Sequence, residues 1–473
     1  SRDNLEASNI YRNKIIDNTS TSYGASYTVN DVIGVALNLD DGEITFYKNG
    51  SSQGTITTKT FTGAYKLANG HGSSSGSSTY ALNTGQIPFK YAPPQGYLPL
   101  NSATVRPNKV ITRSDQYFGV TTYTGTNASV QKIKTEFEAD FVWFKSRSGA
   151  HNHGLFDTVR GATKKINSDD SAAEQTDNEG VKAFFDNGVT VGNGNEFGAS
   201  PKTYVMWHWK AGGSKNTFNV DDVGYSTFAA SGTTAGTITP TGTSIGTKQG
   251  FSIIKYTGTG SAATLPHGLS QAPEFVLVKN LASSYNWAVY HKDLTSAAYY
   301  LFLNNTDGES NNFYTYWNST DPSSTVISLG ADSSDSNVNA NKASQSHICY
   351  AWHSVPGLQK FGKYIGNANS DGPFVETGMK PALVAFKKIS ASGDAWLVYD
   401  ATRDTHNFTA KRVFWNSNGS EQESDDYAID ILSNGFKIRT SDGSWNADGA
   451  TFVYMAWAEA PASNLFGGQS NAR

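Results

Sequence analysis

Two short segments of the 473-residue chain carry an aspartate followed three residues later by an arginine. The pairs are Asp157 with Arg160 and Asp400 with Arg403. Across a turn, this spacing allows the carboxylate to accept hydrogen bonds from the guanidinium group. A catalytic role would need a second carboxylate at a fixed position, and none recurs beside the two pairs. We therefore predict two structural ion pairs.

The other acidic residues are concentrated in polar segments, chiefly 167–180 and 421–426, where carboxylates are usually solvated. A glycosidase needs two carboxylates held about 5–10 Å apart around a cleft. The sequence contains no nucleophile elbow, no HExxH zinc helix and no phosphate-binding loop. These patterns predict a protein without catalytic residues, and hence not an enzyme.

Two loops contain metal-ligand residue types but lack the rest of a metal site. GAHNHG at 149–154 has two histidines two residues apart, and we predict an exposed polar loop there. NANSDG at 367–372 has oxygen-bearing residues at alternate positions, as a calcium loop has. Position twelve of that loop is Gly378 instead of the required acid. The sequence predicts neither a metal nor a cofactor.

Aromatic residues make up 12% of the chain and include ten tryptophans, which are suited to stacking against sugar rings. Trp415 in FWNSNGS and Trp445 in DGSWNADG stand in polar surroundings, whereas most other tryptophans lie in apolar runs. These two are therefore the candidates for exposed ligand-binding platforms.

After Leu100 the chain repeats one long pattern three times. The units open with FGVTTYTGT, FSIIKYTGTG and FGKYIGNA, and continue to the apolar strands DFVWFK, EFVLVK and ALVAFK, each ending in lysine. The units are longer than the ~20–50 residues of solenoid repeats. We therefore expect three related domains that can each hold a core.

Each unit closes with one strand pattern, TYVMWHWK, SHICYAWH or TFVYMAWA. In register, Trp209, Trp352 and Trp457 share one position and lie on the same face as the apolar residues two and four places earlier. His208 falls on the opposite face, where the other two units have alanine. We predict that the three tryptophans are core anchors and that His208 is not required by the unit.

The first hundred residues have a different pattern, centred on DVIGVALNLDDGEITFYKNG at 31–50. Its alternating apolar residues and its Asp-Gly and Asn-Gly pairs predict a β-hairpin with one buried face. With the following YLPLNSATV, the segment resembles the later half of an SPRY domain, a concanavalin-like β-sandwich, over about residues 20–103. The strands of the first half are missing from the pattern, so we expect a partial sandwich.

These patterns predict an all-β fold: a partial SPRY-like β-sandwich followed by three tandem related β-sandwich modules. The predicted boundaries are 1–103 for the SPRY-like segment, 104–213 for module 1, 214–357 for module 2 and 358–473 for module 3. Module 2 includes a Gly/Thr-rich connector at 231–250.

Composition excludes several classes of protein. The net charge of −4 without a basic block argues against nucleic-acid binding, and the single cysteine, Cys349, excludes an intrachain disulfide. The sequence has no run of about 18 apolar residues, so it predicts no membrane-spanning helix. The first residues lack the apolar core of a signal peptide. We expect Ser1 to be a processed end or to lie within a longer protein.

Together with the closing AEAPASNLFGGQSNAR, the repeated YTGT, GLFDTVRG, YDATRD and TYVMWHWKAG motifs resemble modules of tailed-phage tail-fibre-like virion proteins, especially those of marine and cyanobacterial phages. The resemblance covers about residues 104–473 and implies a phage tail appendage that recognises a glycan or receptor on the bacterial surface. It also implies a virion location, other tail proteins as partners and a homo-oligomer, with a trimer favoured. The alternatives are a purely structural tail or capsid appendage and a glycan-depolymerising tailspike.

Overall fold

A computed structural model describes residues 5–8, 13–16, 19–38, 41–57, 81–100, 110–311, 316–331 and 340–462. The chain divides into two compact units, Ser1–Pro107 and Asn108–Arg473. Within the described ranges, no helix is long and apolar enough to cross a membrane. Residues 463–473, which are most of the closing motif AEAPASNLFGGQSNAR, lie outside the described residues.

The first unit contains two antiparallel sheets of three strands each. The predicted hairpin is present, with Val35 opposite Phe46 and Leu37 opposite Ile44. Gly42 closes the turn at φ +70°, a conformation that favours glycine. The strands of the two sheets are β1 (Leu5–Ser8), β2 (Asn13–Ile16) and β3 (Thr19–Ser22), then β4 (Ile33–Asn38), β5 (Glu43–Lys48) and β6 (Ser51–Thr57).

The second unit holds all three repeats. Its helices are single turns, the 3₁₀ turns Ser114–Gln116, Ala229–Ser231 and Asp425–Tyr427 and the α-helix α1 (Gly443–Asn446). The strands of module 1 are β7 (Phe118–Thr124), β8 (Gln131–Lys134), β9 (Phe141–Ser146), β10 (Gly154–Asp157), β11 (Lys164–Lys165), β12 (Gln175–Thr176), β13 (Val181–Phe185), β14 (Gly188–Val191) and β15 (Thr203–Trp209).

The second and third repeats follow the same order. The strands of module 2 are β16 (Phe218–Val220), β17 (Val223–Tyr225), β18 (Gly242–Gly246), β19 (Phe251–Thr257), β20 (Ala263–Pro266), β21 (Phe275–Asn280), β22 (Ala288–His291), β23 (Tyr299–Phe302), β24 (Ser310–Asn311), β25 (Val326–Leu329) and β26 (Ser346–Trp352). Those of module 3 are β27 (Gln359–Ile365), β28 (Phe374–Glu376), β29 (Met379–Lys388), β30 (Leu397–Asp400), β31 (Lys411–Phe414), β32 (Gln422–Glu423), β33 (Ile429–Leu432), β34 (Gly435–Ile438) and β35 (Thr451–Pro461).

Every module has a main antiparallel sheet in which the closing strand lies between the opening strand and the apolar strand. The equivalent orders are β10–β9–β15–β7, β22–β21–β26–β19 and β30–β29–β35–β27. In module 2, part of the Gly/Thr-rich connector forms β18, which pairs with β19 and extends the sheet. The fold class predicted from the sequence, all-β, is confirmed.

A smaller sheet covers one face of each main sheet. These sheets are β13–β14–β8, β20–β25 and β28–β34–β33. Between the two sheets of a module lies a core of its own, to which Met206, Ala351 and Ala456 contribute from the closing strands. Each module is therefore a two-layered sandwich.

The other faces of the three main sheets contribute to a single hydrophobic core, which we call the shared core. It contains Trp207 and Trp209 of module 1, Tyr350 and Trp352 of module 2, and Trp457 of module 3. Because each main sheet is buried on both faces, its strands are continuously apolar. The boundaries between the modules stay predictions, but the residues that were aligned in the three repeats meet in one core.

Candidate functional site

The three tryptophans predicted as anchors lie at the centre of the shared core. The ring centroids of Trp209 and Trp352 are 6.4 Å apart, those of Trp209 and Trp457 5.4 Å, and those of Trp352 and Trp457 6.1 Å. All three pairs meet edge to face, the geometry that aromatic rings prefer. Each side chain is at most 2% exposed. Their role is to pack the modules together.

His208 lies on the opposite face of β15, as the alternation predicts. Its ring is 2% exposed, packs 5.1 Å from the Phe137 ring and has Nε2 3.2 Å from Thr121 Oγ1. Burial lowers the pKa of His208 to about 3. The side chain is a neutral core residue without access for a ligand.

The predicted aspartate–arginine contacts are buried ion pairs. Arg160 Nε lies 2.5 Å from Asp157 Oδ2, Arg403 Nε lies 2.5 Å from Asp400 Oδ2, and all four side chains are fully buried. In both turns the aspartate also accepts from the arginine backbone N–H at 2.8 Å. A buried charge held by this many hydrogen bonds is structural, since no substrate can reach it.

Each ion pair also receives a hydrogen bond from a neighbouring module. Tyr350 of module 2 donates its hydroxyl to Asp157 Oδ2 of module 1 at 2.6 Å. Trp207 of module 1 donates its indole N–H to Asp400 Oδ2 of module 3 at 3.1 Å. Trp207 and Tyr350 occupy the same position of the repeated closing strand, so the two contacts are equivalent.

The third contact of this kind is absent, because both its donor and its acceptor are replaced. Module 3 has Met455 at the donor position, and a thioether cannot donate a hydrogen bond. Module 2 has His291 at the aspartate position, with Nε2 3.3 Å from the backbone oxygen of Tyr454. The donor and the acceptor are thus missing together, and no buried carboxylate is left without its partner.

The lysines that end the three apolar strands make a second cyclic set of contacts. Each ammonium group is buried and donates to a carbonyl six or seven residues later in its own module. Each also reaches a carbonyl of another module: Lys145 of module 1 to Asn418 of module 3 at 3.1 Å, Lys279 of module 2 to Ser171 of module 1 at 3.0 Å, and Lys387 of module 3 to Thr306 of module 2 at 3.2 Å. The three modules therefore contact one another in a closed cycle.

The prediction of exposed platforms at Trp415 and Trp445 is wrong. Trp415 is 1% exposed, and its ring stacks on Trp143 of module 1 at 4.7 Å. Trp445 is 8% exposed, and its indole N–H donates to Tyr399 Oη at 2.6 Å. Their polar sequence neighbours are turn residues, whereas the rings point into cores built from distant segments.

The two loops considered for metal binding are engaged internally. His153 is buried, which corrects the prediction of an exposed loop, and its Nδ1 accepts from the Trp143 indole at 2.8 Å. In NANSDG, Asn367 Oδ1 accepts from Asn369 N at 3.1 Å and from Asn446 Nδ2 at 2.8 Å. Across the described ranges, no group of three His, Cys, Asp or Glu side chains is arranged to hold a metal ion.

Two carboxyl groups have pKa values suited to proton transfer, but both serve as backbone caps. Burial raises the pKa of Asp140 to about 6 and that of Asp169 to about 7. Asp140 Oδ2 accepts from Ala211 N at 2.7 Å, and Asp169 Oδ1 accepts from His153 N at 3.0 Å. Neither carboxyl lines the cleft beside Thr158 and Asn219 or the cleft beside Phe408.

The outer face of the small sheet of module 3 carries a different kind of surface. Asp430 of β33 lies opposite Lys437 of β34, and Lys437 lies opposite Phe374 of β28. On the other side, Thr409 pairs with Ile429, which places Phe408 level with Asp430 and on the same face. We call Phe408, Asp430, Lys437 and Phe374 the outer row.

Both aromatic rings of the outer row face solvent. Phe408 is 48% exposed and Phe374 is 45% exposed. The Arg439 guanidinium lies 5.3 Å from the centre of the Phe408 ring and 3.3 Å from Asp430. A cleft of about 440 Å³ opens beside Phe408 and is lined by Ser370, Asp371, Phe408, Asp425 and Arg439.

The backbone around Phe408 is fixed on both sides of the ring. Asn407 exchanges two hydrogen bonds with the backbone of Ile431, at 3.0 and 2.9 Å. Thr409 exchanges two with the backbone of Ile429, at 2.8 and 3.1 Å. The Phe408 ring is therefore held in place at the surface by its backbone neighbours.

Sequence reasoning did not identify the outer row, because its members come from three separated segments. The available signal was that the segment 405–409, which follows the YDATRD motif of module 3, has no counterpart in the other modules. Phe408, the aromatic residue of that segment, was a better candidate for an exposed ring than Trp415 or Trp445.

Comparisons with known proteins match the two units of the chain, Ser1–Pro107 and Asn108–Arg473, to two different families. A family model described as a domain of unknown function (DUF7483) matches residues 113–461, and the SPRY domain model matches residues 5–86. The E3 ubiquitin-protein ligase RKP of Arabidopsis thaliana is 43% identical over 89 residues, which are 18% of this chain and 7% of the plant protein. No solved structure matches the chain.

Proposed function

We propose that this chain, which belongs to the DUF7483 family and carries an SPRY domain at its N-terminal end, is a non-enzymatic phage virion protein. Its function in this proposal is to attach a tail appendage to the surface of the bacterial host. The resemblance of the repeats to tail-fibre-like proteins supports the virion location. The outer row supports attachment, since it presents aromatic rings to solvent on a fixed backbone.

The distribution of the repeated residues favours binding over catalysis. The tryptophans, ion pairs and lysines common to the modules are buried between the modules, where they stabilise the frame. The segment around Phe408, which differs between the modules, presents its ring to solvent, as binding loops on a rigid scaffold usually do. The proposed activity is therefore recognition of the host surface by the segments that differ between the modules.

Cell binding tests this proposal directly. The purified, labelled chain is added to cells of a bacterial panel that includes the phage host, and bound protein is measured before phage is added. The proposal predicts binding to the host and reduced phage adsorption. A chain that binds no strain and leaves adsorption unchanged would contradict it.

A second candidate is a structural appendage that joins other virion parts through the first unit. Strand β4 exposes Ile33, Val35 and Leu37 at 39%, 43% and 41%, while Ala36 on its other face is 4% exposed. A strand face of this kind is suited to contact with another protein. Electron microscopy of the intact particle distinguishes the candidates, because a purely structural part has its module 3 face covered by neighbouring proteins.

The homotrimer and the depolymerase activity implied as possibilities by the resemblance are tested separately. Light scattering on the purified chain gives its mass, and a value of three chains supports the trimer. Incubation with host envelope polysaccharide tests for cleavage, and we expect the polymer length to stay unchanged.

A further inference from the structure

We propose that the outer row of module 3 and the cleft beside Phe408 bind an uncharged oligosaccharide. The inference rests on the proposed attachment function and assigns it a chemical class of ligand. Three properties of the surface indicate this class of ligand: two separated aromatic rings, charged groups between them that can form hydrogen bonds, and a distance between the rings that matches several sugar units.

The rings supply the apolar part of sugar recognition. One face of a pyranose ring presents several C–H groups, which pack against an aromatic ring, while the hydroxyl groups at its edge remain available for hydrogen bonds. Phe408 and Phe374 are about half exposed, so each ring has surface to offer. A protein ligand would instead favour one continuous apolar patch, whereas charged groups separate these rings.

The spacing of the rings sets the size of the ligand. Phe408 and Phe374 stand on the outer two of four neighbouring backbone segments, with Asp430 and Lys437 between them. Three strand spacings of ~4.8 Å place the two backbones about 14 Å apart. A single sugar cannot contact both rings, but a chain of several sugars lying across the strands can.

The charged groups between the rings are paired with one another. Asp371 lies 2.9 Å from Lys437 and 3.7 Å from Arg439, and Asp430 lies 3.3 Å from Arg439. Carboxylate and guanidinium groups in such an arrangement can each bind two adjacent hydroxyls. With Asp425, which lines the same cleft, the surface has three carboxylates and two cations. It therefore disfavours a polyanion and has little net charge to attract a polycation.

Only module 3 carries this surface among the described small sheets. The corresponding face of module 1 carries Lys132, Thr190 and one half-buried ring, Phe185, with the Lys132 ammonium 5.8 Å from its centre, and that of module 2 carries Thr264 and Ser328. The frame of the sheet therefore does not require aromatic rings on its outer face. The two exposed rings of module 3 are therefore available for contact with a ligand.

The test is a calorimetric titration of the full chain with neutral hexose oligosaccharides of increasing length. We expect affinity to increase with length until the ligand spans both rings and then to level off. Phe408→Ala and Phe374→Ala should each weaken binding by about fivefold, since an aromatic contact is worth ~1 kcal/mol. Lys132→Ala on the equivalent sheet of module 1 is the matched control and should leave affinity unchanged.

A second substitution tests the hydrogen bonds without removing a ring. Arg439→Lys keeps the charge but loses the planar fork of donors, so it should also weaken binding. Thermal unfolding of every variant shows whether the fold is retained, and binding is compared only among variants that unfold at the wild-type temperature.

Three results overturn the inference in distinguishable ways. Equal affinity of wild type and both phenylalanine variants would exclude the outer row. Binding to host cells that is lost after protease treatment of the cells, without any oligosaccharide binding, would identify a protein receptor and leave the attachment function standing. Failure to bind host cells at all would refute the proposed function itself.

Discussion

The indole N–H of Trp207 donates a hydrogen bond to the buried carboxylate of Asp400 at 3.1 Å, although 193 residues separate them in the chain. The contact joins module 1 to module 3, and Tyr350 with Asp157 joins module 2 to module 1 in the same way. Side chains that resemble an active site in the sequence are thus part of the contacts between modules.

Removing the donor of one such contact should destabilise the second unit. In Tyr350→Phe, Asp157 Oδ2 loses the hydroxyl that lies 2.6 Å away, while the ring volume is kept. Hydrogen bonds to charged groups are worth about 1.5–3 kcal/mol, so we expect a loss of that order in the free energy of unfolding. Urea denaturation measures it.

The third repeat provides the matched control for this substitution. Met455 holds the equivalent position and donates no hydrogen bond, so Met455→Leu should cost less than about 1.5 kcal/mol. Equal losses in the two variants would show that packing, and not the hydrogen bond to Asp157, determines the effect.

Removing the cation of a buried pair should cost more. Arg160→Leu leaves the carboxylate of Asp157 buried without its guanidinium partner, and we expect a loss of about 3–5 kcal/mol in the free energy of unfolding. Arg113→Leu is the comparison, because its pair with Asp115 is 64% and 46% exposed and should contribute little to the free energy of unfolding. A small effect of Arg160→Leu would argue against a structural role for the pair.

Acidification should destabilise the protein because several histidines are buried in neutral form. Burial lowers the pKa of His208 and His291 to about 3 and that of His267 to about 4. Between about pH 4 and 6.5 the unfolded chain therefore binds more protons than the folded chain, and the free energy of unfolding falls as the pH falls. Asp140 and Asp169, whose pKa values burial raises, oppose this trend only in part.

His208 gives the acid effect a specific test. In His208→Ala the pH dependence below pH 6 should become shallower, by up to about 1.4 kcal/mol per pH unit. The other two modules have alanine at this position, so the strand accommodates it. His406→Ala, a substitution of an exposed histidine, should leave the slope near that of the wild type. An unchanged slope in His208→Ala would contradict the assignment.

The sequence pattern predicted the local structure of the repeats well. Alternation in the closing strand placed Trp209 and His208 on opposite faces, and the structure has them there. The pattern contained no information about what covers each face, because contacts between modules join residues that are far apart in the chain. The shared core could therefore not be predicted from the strand pattern.

The same limit explains the errors at the candidate site. Trp415 has polar neighbours along the chain, but its ring packs against Trp143 of another module. Phe408 lies in an ordinary polar segment and becomes a candidate only when its pairing places it beside Asp430 and Arg439. Burial of a turn residue depends on the segments packed over it, which local composition does not specify.

Attachment through module 3 is tested most directly by the binding of labelled full-length protein to cells of the phage host. The comparison is between the wild type and a Phe374→Ala/Phe408→Ala double variant that unfolds at the wild-type temperature. We predict that the wild type binds and that the double variant loses most of this binding. Equal binding of the two proteins would contradict attachment through the outer row of module 3.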